Sequence, residues 1–226
     1  MTKSLRIFLL IILGLVIGGV LFFYFAFAGF PWKKITVGHA TLKYLEEKYD
    51  EKFVIEDRYY NFKDGKYEIK AYPVKDPNMI FNAGEGWGNK GFFDYYPEVV
   101  WEKQANADFK GIVKDIFPDM RHYRVHTVYG EGMELVKELP IPCYIEIGAY
   151  IDVAVNLSWR FQETDEEFEK ILTLIQFIQK NGGNIHIFIA YEPREDDAKN
   201  VTYITLSNEE IKQIHTIEDI KKVYNK

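Results

Sequence analysis

The chain has 226 residues, 47% hydrophobic and 16% aromatic, a composition that excludes disorder and leaves room for one membrane segment plus one or two small domains. Beyond Lys3 and Arg6 it carries 26 basic against 34 acidic residues, whereas displacing counterions from a polyanion needs a cationic surplus, so nucleic acid is excluded as the main partner. The single cysteine, Cys143, excludes an intrachain disulfide, a multi-thiolate zinc site and a CxxC redox pair, and no cofactor is expected.

Ile7 to Phe30 is a run of 24 residues without a charge. As a helix it reaches about 36 Å, enough to cross a hydrocarbon core of about 30 Å. Trp32, Lys33 and Lys34 then supply an interfacial belt. Gly14 and Gly18 form a small-xxx-small pair, an ordinary feature of membrane helices. Ala26-Phe27-Ala28 has the form of a signal-peptidase site, yet the apolar stretch before it exceeds the roughly 7 to 15 residues of a signal sequence. Residues 1–34 are therefore read as an uncleaved, single-pass anchor. Lysines and arginine flank both ends, and the free amine with its short tail tips the N-terminus inward. Residues 35–226 are expected outside the cytoplasm.

After the anchor, Thr36–Tyr49 reads as a helix. Alternation from Phe53 to Phe62, the Asp64-Gly65 turn and the return through Tyr67, Ile69 and Ala71 predict a β-hairpin. A third short strand is expected near Met79–Asn82, then the glycine-rich loop Gly84–Gly91. Pro97 opens a helix whose stripe is Trp101, Ala105, Phe109, Ile112, Val113 and Ile116, expected to cover the first sheet. Arg121–Tyr129 reads as a strand and Gly130–Pro142 as connection. Cys143 to Trp159 alternates for longer than one strand, which predicts a break near Gly148. Thr164 and Ser207 begin capping boxes for two later helices, and strands are expected over Asn184–Glu192 and Val201–Leu206. The fold class is α+β, with two small antiparallel sheets each covered by helices. A boundary near Pro118 divides a module at 35–118 from one at 119–226.

The candidate chemistry is sparse. None of Ser4, Ser158 and Ser207 sits in G-x-S-x-G. Cys143 follows Ile141-Pro142 and reads as an inert residue of an apolar strand. His122 and His126 are about 13 Å apart on a strand, too far to chelate one ion together, and no metal site is expected. Glu146 and Asp152 are the carboxylates that a hydrolase would use. The loop 84–91 fits neither the dinucleotide nor the Walker phosphate pattern. Its aromatic surroundings, Trp87, Phe92, Phe93, Tyr95 and Tyr96, form a candidate ligand or partner surface.

Gly29-Phe30-Pro31-Trp32-Lys33-Lys34, the helix end Lys43-Tyr44-Leu45-Glu46-Glu47-Lys48-Tyr49 and Tyr60-Asn61-Phe62-Lys63-Asp64-Gly65 resemble the YfjL-like proteins of Gram-positive bacteria. That resemblance implies a membrane-tethered topology and carries no catalytic residues. The element order of 35–118 is also similar to PepSY-like inhibitory modules. The expected function is a non-enzymatic, membrane-anchored extracytoplasmic binding module whose partner is an envelope protein or cell-wall component. The alternatives are a cell-envelope hydrolase using acidic residues and a structural subunit of a membrane complex.

Overall fold

The computed structural model describes residues 3–86, 88, 91–137, 139–193 and 201–224. The chain divides into two compact units, Met1–Asp94 and Tyr95–Lys226.

In the first unit, helix α1 spans Lys3–Ala28 and α2 spans Pro31–Tyr49. Gly29, at φ +67°, ends the first, and Pro31 fits the first turn of the second, where its missing N–H leaves no bond unmade. Strands β1 (Phe53–Asn61), β2 (Lys66–Pro73), β3 (Phe81–Glu85) and β4 (Phe92–Asp94) form an antiparallel sheet in sequence order. The β1–β2 register pairs Asn61 with Lys66 and slips between Ile55 and Asp57. Helix α2 buries Gly38, Thr41 and Leu45. The strands bury Phe53, Ile69, Ala71, Phe81 and Ala83.

The second unit comprises α3 (Tyr96–Ile116), β5 (His122–Thr127), α4 (Glu131–Leu135), α5 (Tyr144–Ile147), β6 (Tyr150–Leu157), α6 (Asp165–Asn181), β7 (Asn184–Tyr191), β8 (Thr202–Leu206), α7 (Asn208–Gln213) and α8 (Ile217–Tyr224). Its sheet runs β5-β6-β7-β8. One face carries Ile151, Val153, Val155 and Leu157 of β6 with Ile185, Ile187 and Ile189 of β7, all buried in one core with Trp101, Phe109, Ile171 and Ile175 from the helices.

The architecture is α+β with two four-stranded sheets and helices packed against them, and several details depart from the sequence reading. Helix α3 covers the second sheet rather than the first, and the division falls at Asp94/Tyr95 rather than near Pro118. An apolar stripe states that a helix face is buried without naming the sheet that buries it. Strands β6 and β7 are parallel, not antiparallel, because the 17-residue α6 carries the chain back to the start of the next strand. Residues 144–147 form a turn of helix, closed by Gly148 at φ +69°, so the long alternation begins as strand only at Tyr150. Strand β4, three residues long, lies inside the aromatic run.

Thr164 accepts a hydrogen bond from the Glu167 N–H at 3.4 Å, and α6 ends on Gly182. Its inward stripe is Phe168, Ile171, Leu172, Ile175 and Ile178. Ile171→Asp, which buries an unpaired charge, should destabilise the second unit by about 4 kcal/mol or more, whereas Gln176→Asp on the exposed face should stay within about 0.5 kcal/mol. Chemical denaturation monitored by circular dichroism measures both; equal losses would show that the helix face is wrongly assigned.

Candidate functional site

From Ile7 to Tyr24 the large side chains of α1 are exposed, with Leu15 and Phe22 both 71% exposed. Its most apolar 18-residue window has a mean hydropathy of 2.8 and no buried residue. Burying a Leu, Ile or Phe side chain is worth roughly 1.5 to 3 kcal/mol. This helix leaves that term unrealised at every turn. It is long and apolar enough to cross a membrane.

A joint of one hydrogen bond and several ring contacts connects this helix to the first sheet. The Phe30 N–H donates to the Tyr67 hydroxyl of β2 at 2.8 Å. A Cβ at Gly29 would meet Tyr60 of β1 at 2.6 Å, so only glycine admits both the left-handed turn and the neighbouring ring. Phe25, Phe30 and Trp32 stack in series, with Phe25–Phe30 at 5.0 Å and Phe30–Trp32 at 4.9 Å. Lys33 lies over the Tyr67 ring at 5.8 Å. An apolar groove of about 440 Å³ runs beside the joint, lined by Gly18, Leu21, Phe22, Phe25, Ala26, Phe30 and Tyr60.

Deeper in the same unit, Asp94 is fully buried and ties α2 to β4. It accepts hydrogen bonds from the Tyr44 hydroxyl at 2.8 Å, the Lys48 ammonium at 2.8 Å and the Tyr49 hydroxyl at 2.6 Å. Burial first, and then the carboxylate beside it, push the Tyr44 phenol well above its ordinary range. The group is therefore a structural charge pair with two neutral donors.

The second unit offers a cleft of about 590 Å³ between the end of α3 and the start of α6. Trp159 lines it together with Asp115, Asp119, Glu166, Glu167 and Lys170. Glu167 is held at its base, accepting from the Tyr191 hydroxyl at 2.9 Å and from Lys170 at 3.0 Å. An indole face beside several carboxylates suits a ligand with an apolar face and hydroxyl or cationic groups.

The sheet face opposite the helices carries His122, Arg124 and His126 from β5, Tyr150 and Asp152 from β6, and His186 and Phe188 from β7. His126, Asp152 and His186 fall in one register row, and Tyr150 stacks on His186 at 4.0 Å. Among the described residues no group of three or more His, Cys, Asp or Glu side chains is placed to hold a metal ion.

Of the aromatic residues singled out in the sequence, Trp87 lies outside the described residues. Phe92 stacks on Tyr44 at 5.3 Å, and Tyr95 pairs with Tyr129 at 5.2 Å. Phe93 and Tyr96 are only 6% and 2% exposed, so these two serve packing instead of a ligand surface. Of the glycine-rich stretch, Gly84 and Glu85 belong to β3, which pairs with β4, and the Gly86 N–H donates to the Gly91 carbonyl at 2.7 Å. Glu146 accepts from the Cys143 N–H at 3.4 Å as part of the α5 cap, while Asp152 lies on β6, and neither lines the cleft. Cys143 precedes α5 rather than opening a strand, half-buried against the core.

Sequence reasoning missed Asp94 and also Glu98, whose buried carboxylate accepts from the Gly130 and Gly132 N–H groups at 2.8 and 3.0 Å. The only available signal was an acid placed among large apolar neighbours. Asp94→Ala, which leaves the half-buried Lys48 ammonium and two tyrosine hydroxyls without their acceptor, should cost about 1 to 3 kcal/mol in the first unit, and Asp94→Asn less. Thermal unfolding of the full chain in detergent measures this; a shift within error for the alanine variant would remove the clamp from the account.

No curated protein matches the chain. Among solved structures, that of a DUF5037 family protein from Ruminococcus gnavus ATCC 29149 is similar at 13% identity and a TM-score of 0.44, covering 81% of this chain and 97% of that one. The apolar helix, its joint and the whole first sheet lie within residues 3–107, and this segment matches the family model described as YfjL-like, N-terminal domain.

Proposed function

We propose that the protein is a single-pass, membrane-anchored binding module that presents its two α+β units outside the cytoplasm to an envelope protein or cell-wall component. The observation that carries the anchoring is the exposure of α1, which has no buried residue in its most apolar window. Water disfavours such a surface, and a bilayer removes the penalty while the helix satisfies its own backbone. Trp32, Lys33 and Lys34 follow the apolar run where aromatic and basic residues anchor at an interface.

The binding assignment rests on the cleft lined by Trp159, with Asp115, Asp119 and Glu166 beside it. Among the described members of the aromatic run, Phe92 and Tyr95 are half-buried. Glu146 and Asp152 lie outside this cleft, so a hydrolase would draw on Asp115, Asp119 or Glu166 instead, and a turnover abolished by Glu166→Gln while folding persists would move the assignment in that direction.

Protease added to intact, wall-stripped cells should digest residues 35–226 and leave a protected fragment containing α1. Complete protection of the chain would reverse the orientation, and release of the whole chain by carbonate would remove the anchor. Trp159→Ala should weaken retention of the detergent-solubilised protein on isolated cell envelopes by about tenfold if an aromatic contact worth roughly 1.4 kcal/mol is lost. Unchanged retention would take the cleft out of the binding surface.

A further inference from the structure

We propose that the tip of the β1–β2 hairpin is a second membrane contact, with Phe62 seated at the acyl boundary and Lys63 among the headgroups. This rests on the reading of α1 as the anchor and goes beyond it, since it makes the first sheet itself a lipid-binding element. Phe62 is 53% exposed at the outermost turn of the hairpin, where a large apolar ring has no protein core to enter. Its ring lies against Phe27 of α1, with centroids 5.6 Å apart, and Phe27 is itself 61% exposed. The hairpin tip is thus level with the last turn of the apolar helix and continuous with its outward surface.

The position is fixed, since Tyr60 packs against Gly29 and Tyr67 receives the Phe30 N–H, both within a few residues of the tip. Phe27 touches Phe62, and the 59% exposed Trp32 stacks on Phe30 at 4.9 Å and lies 6.3 Å from Phe25, so all three exposed rings gather at the same end of α1. That is the composition and depth of an interfacial belt, assembled from three separate segments. The charge around it fits an anionic headgroup. Lys33 and Lys63 are exposed, and the acid at the tip, Asp64, is turned back to accept from the Asn61 amide at 2.7 Å.

The test uses the full chain reconstituted in vesicles of equimolar phosphatidylcholine and phosphatidylglycerol. An environment-sensitive fluorophore is attached at Lys63→Cys in a Cys143→Ala background, and a second sample carries it at Lys75→Cys. That control lies about 25 to 30 Å from the tip by the strand rise. The expected result is blue-shifted emission at position 63, quenched several-fold more strongly by lipids bearing a nitroxide near the headgroup than by those bearing it at the chain end. The label at position 75 should behave as in water. Adding Phe62→Asp should return the position 63 label to solvent-like emission, with no change in flotation of the protein with the vesicles. Flotation with a solvent-like label at position 63 would overturn the hairpin contact alone. Failure to float would overturn the anchor and the contact together.

Discussion

The constraint on which the molecule depends is the direct coupling of an unburied apolar helix to a folded sheet. Gly29 supplies a left-handed turn that brings Tyr60 to the backbone, and the next residue donates its N–H to Tyr67. A flexible linker would have let α1 and the sheet move independently. Here the helix end, α2 and the first two strands share a few side chains, so displacing one strains the others. Under the proposed anchoring, the first unit keeps a fixed height above the bilayer and a fixed face toward it.

Acidic residues hold the units together from within. Asp94, Glu98 and Glu167 are buried, and each accepts from a donor in another element or turn: Asp94 from Tyr44 and Tyr49, Glu98 from the Gly130 and Gly132 N–H groups, and Glu167 from Tyr191 as well as from Lys170 of its own helix. Glu102 similarly accepts from the Thr127 N–H at 3.1 Å. A buried carboxylate gains little net stability over an apolar side chain, but removing its partners is costly, so such groups fix geometry more than they add free energy. The acid-rich composition thus has two parts: a few carboxylates that set how helices meet strands, and a larger exposed set.

Sequence patterns made the elements legible and left their pairing open. The α6 stripe, the Ser207 capping box and the Asp64-Gly65 hairpin are local signals, each contained within a few residues, and each forms as read, whereas at Thr164 only half of the expected box forms, because the Glu167 carboxylate turns to Tyr191 and Lys170. The direction of β7 relative to β6, the sheet that α3 covers and the three donors on Asp94 depend on contacts dozens of residues apart. Cys143 to Gly148 shows a second limit. Alternating apolar residues satisfy either a strand or one turn of helix, and Pro142 before it with a left-handed Gly148 after it selected the helix. The aromatic run from Phe92 to Tyr96 failed as a uniform surface for the same reason: a short strand followed by a helix start sends alternate rings into the core.

The apolar groove beside the joint follows from the same residues that make the joint. Gly18 and Ala26 leave α1 narrow on one side, while Phe22, Phe25 and Phe30 project around the gap and Tyr60 closes its end. The contacts of Gly29 with Tyr60 and of the Phe30 N–H with Tyr67 set the helix–sheet angle beside these walls. In a bilayer the groove would fill with hydrocarbon, because an empty cavity forfeits dispersion contacts on every wall. Lipid then becomes a packing component of the joint itself. Under the proposed anchoring, the relative orientation of α1 and the first sheet would be set jointly by Gly29, the Tyr67 hydroxyl and the hydrocarbon beside them.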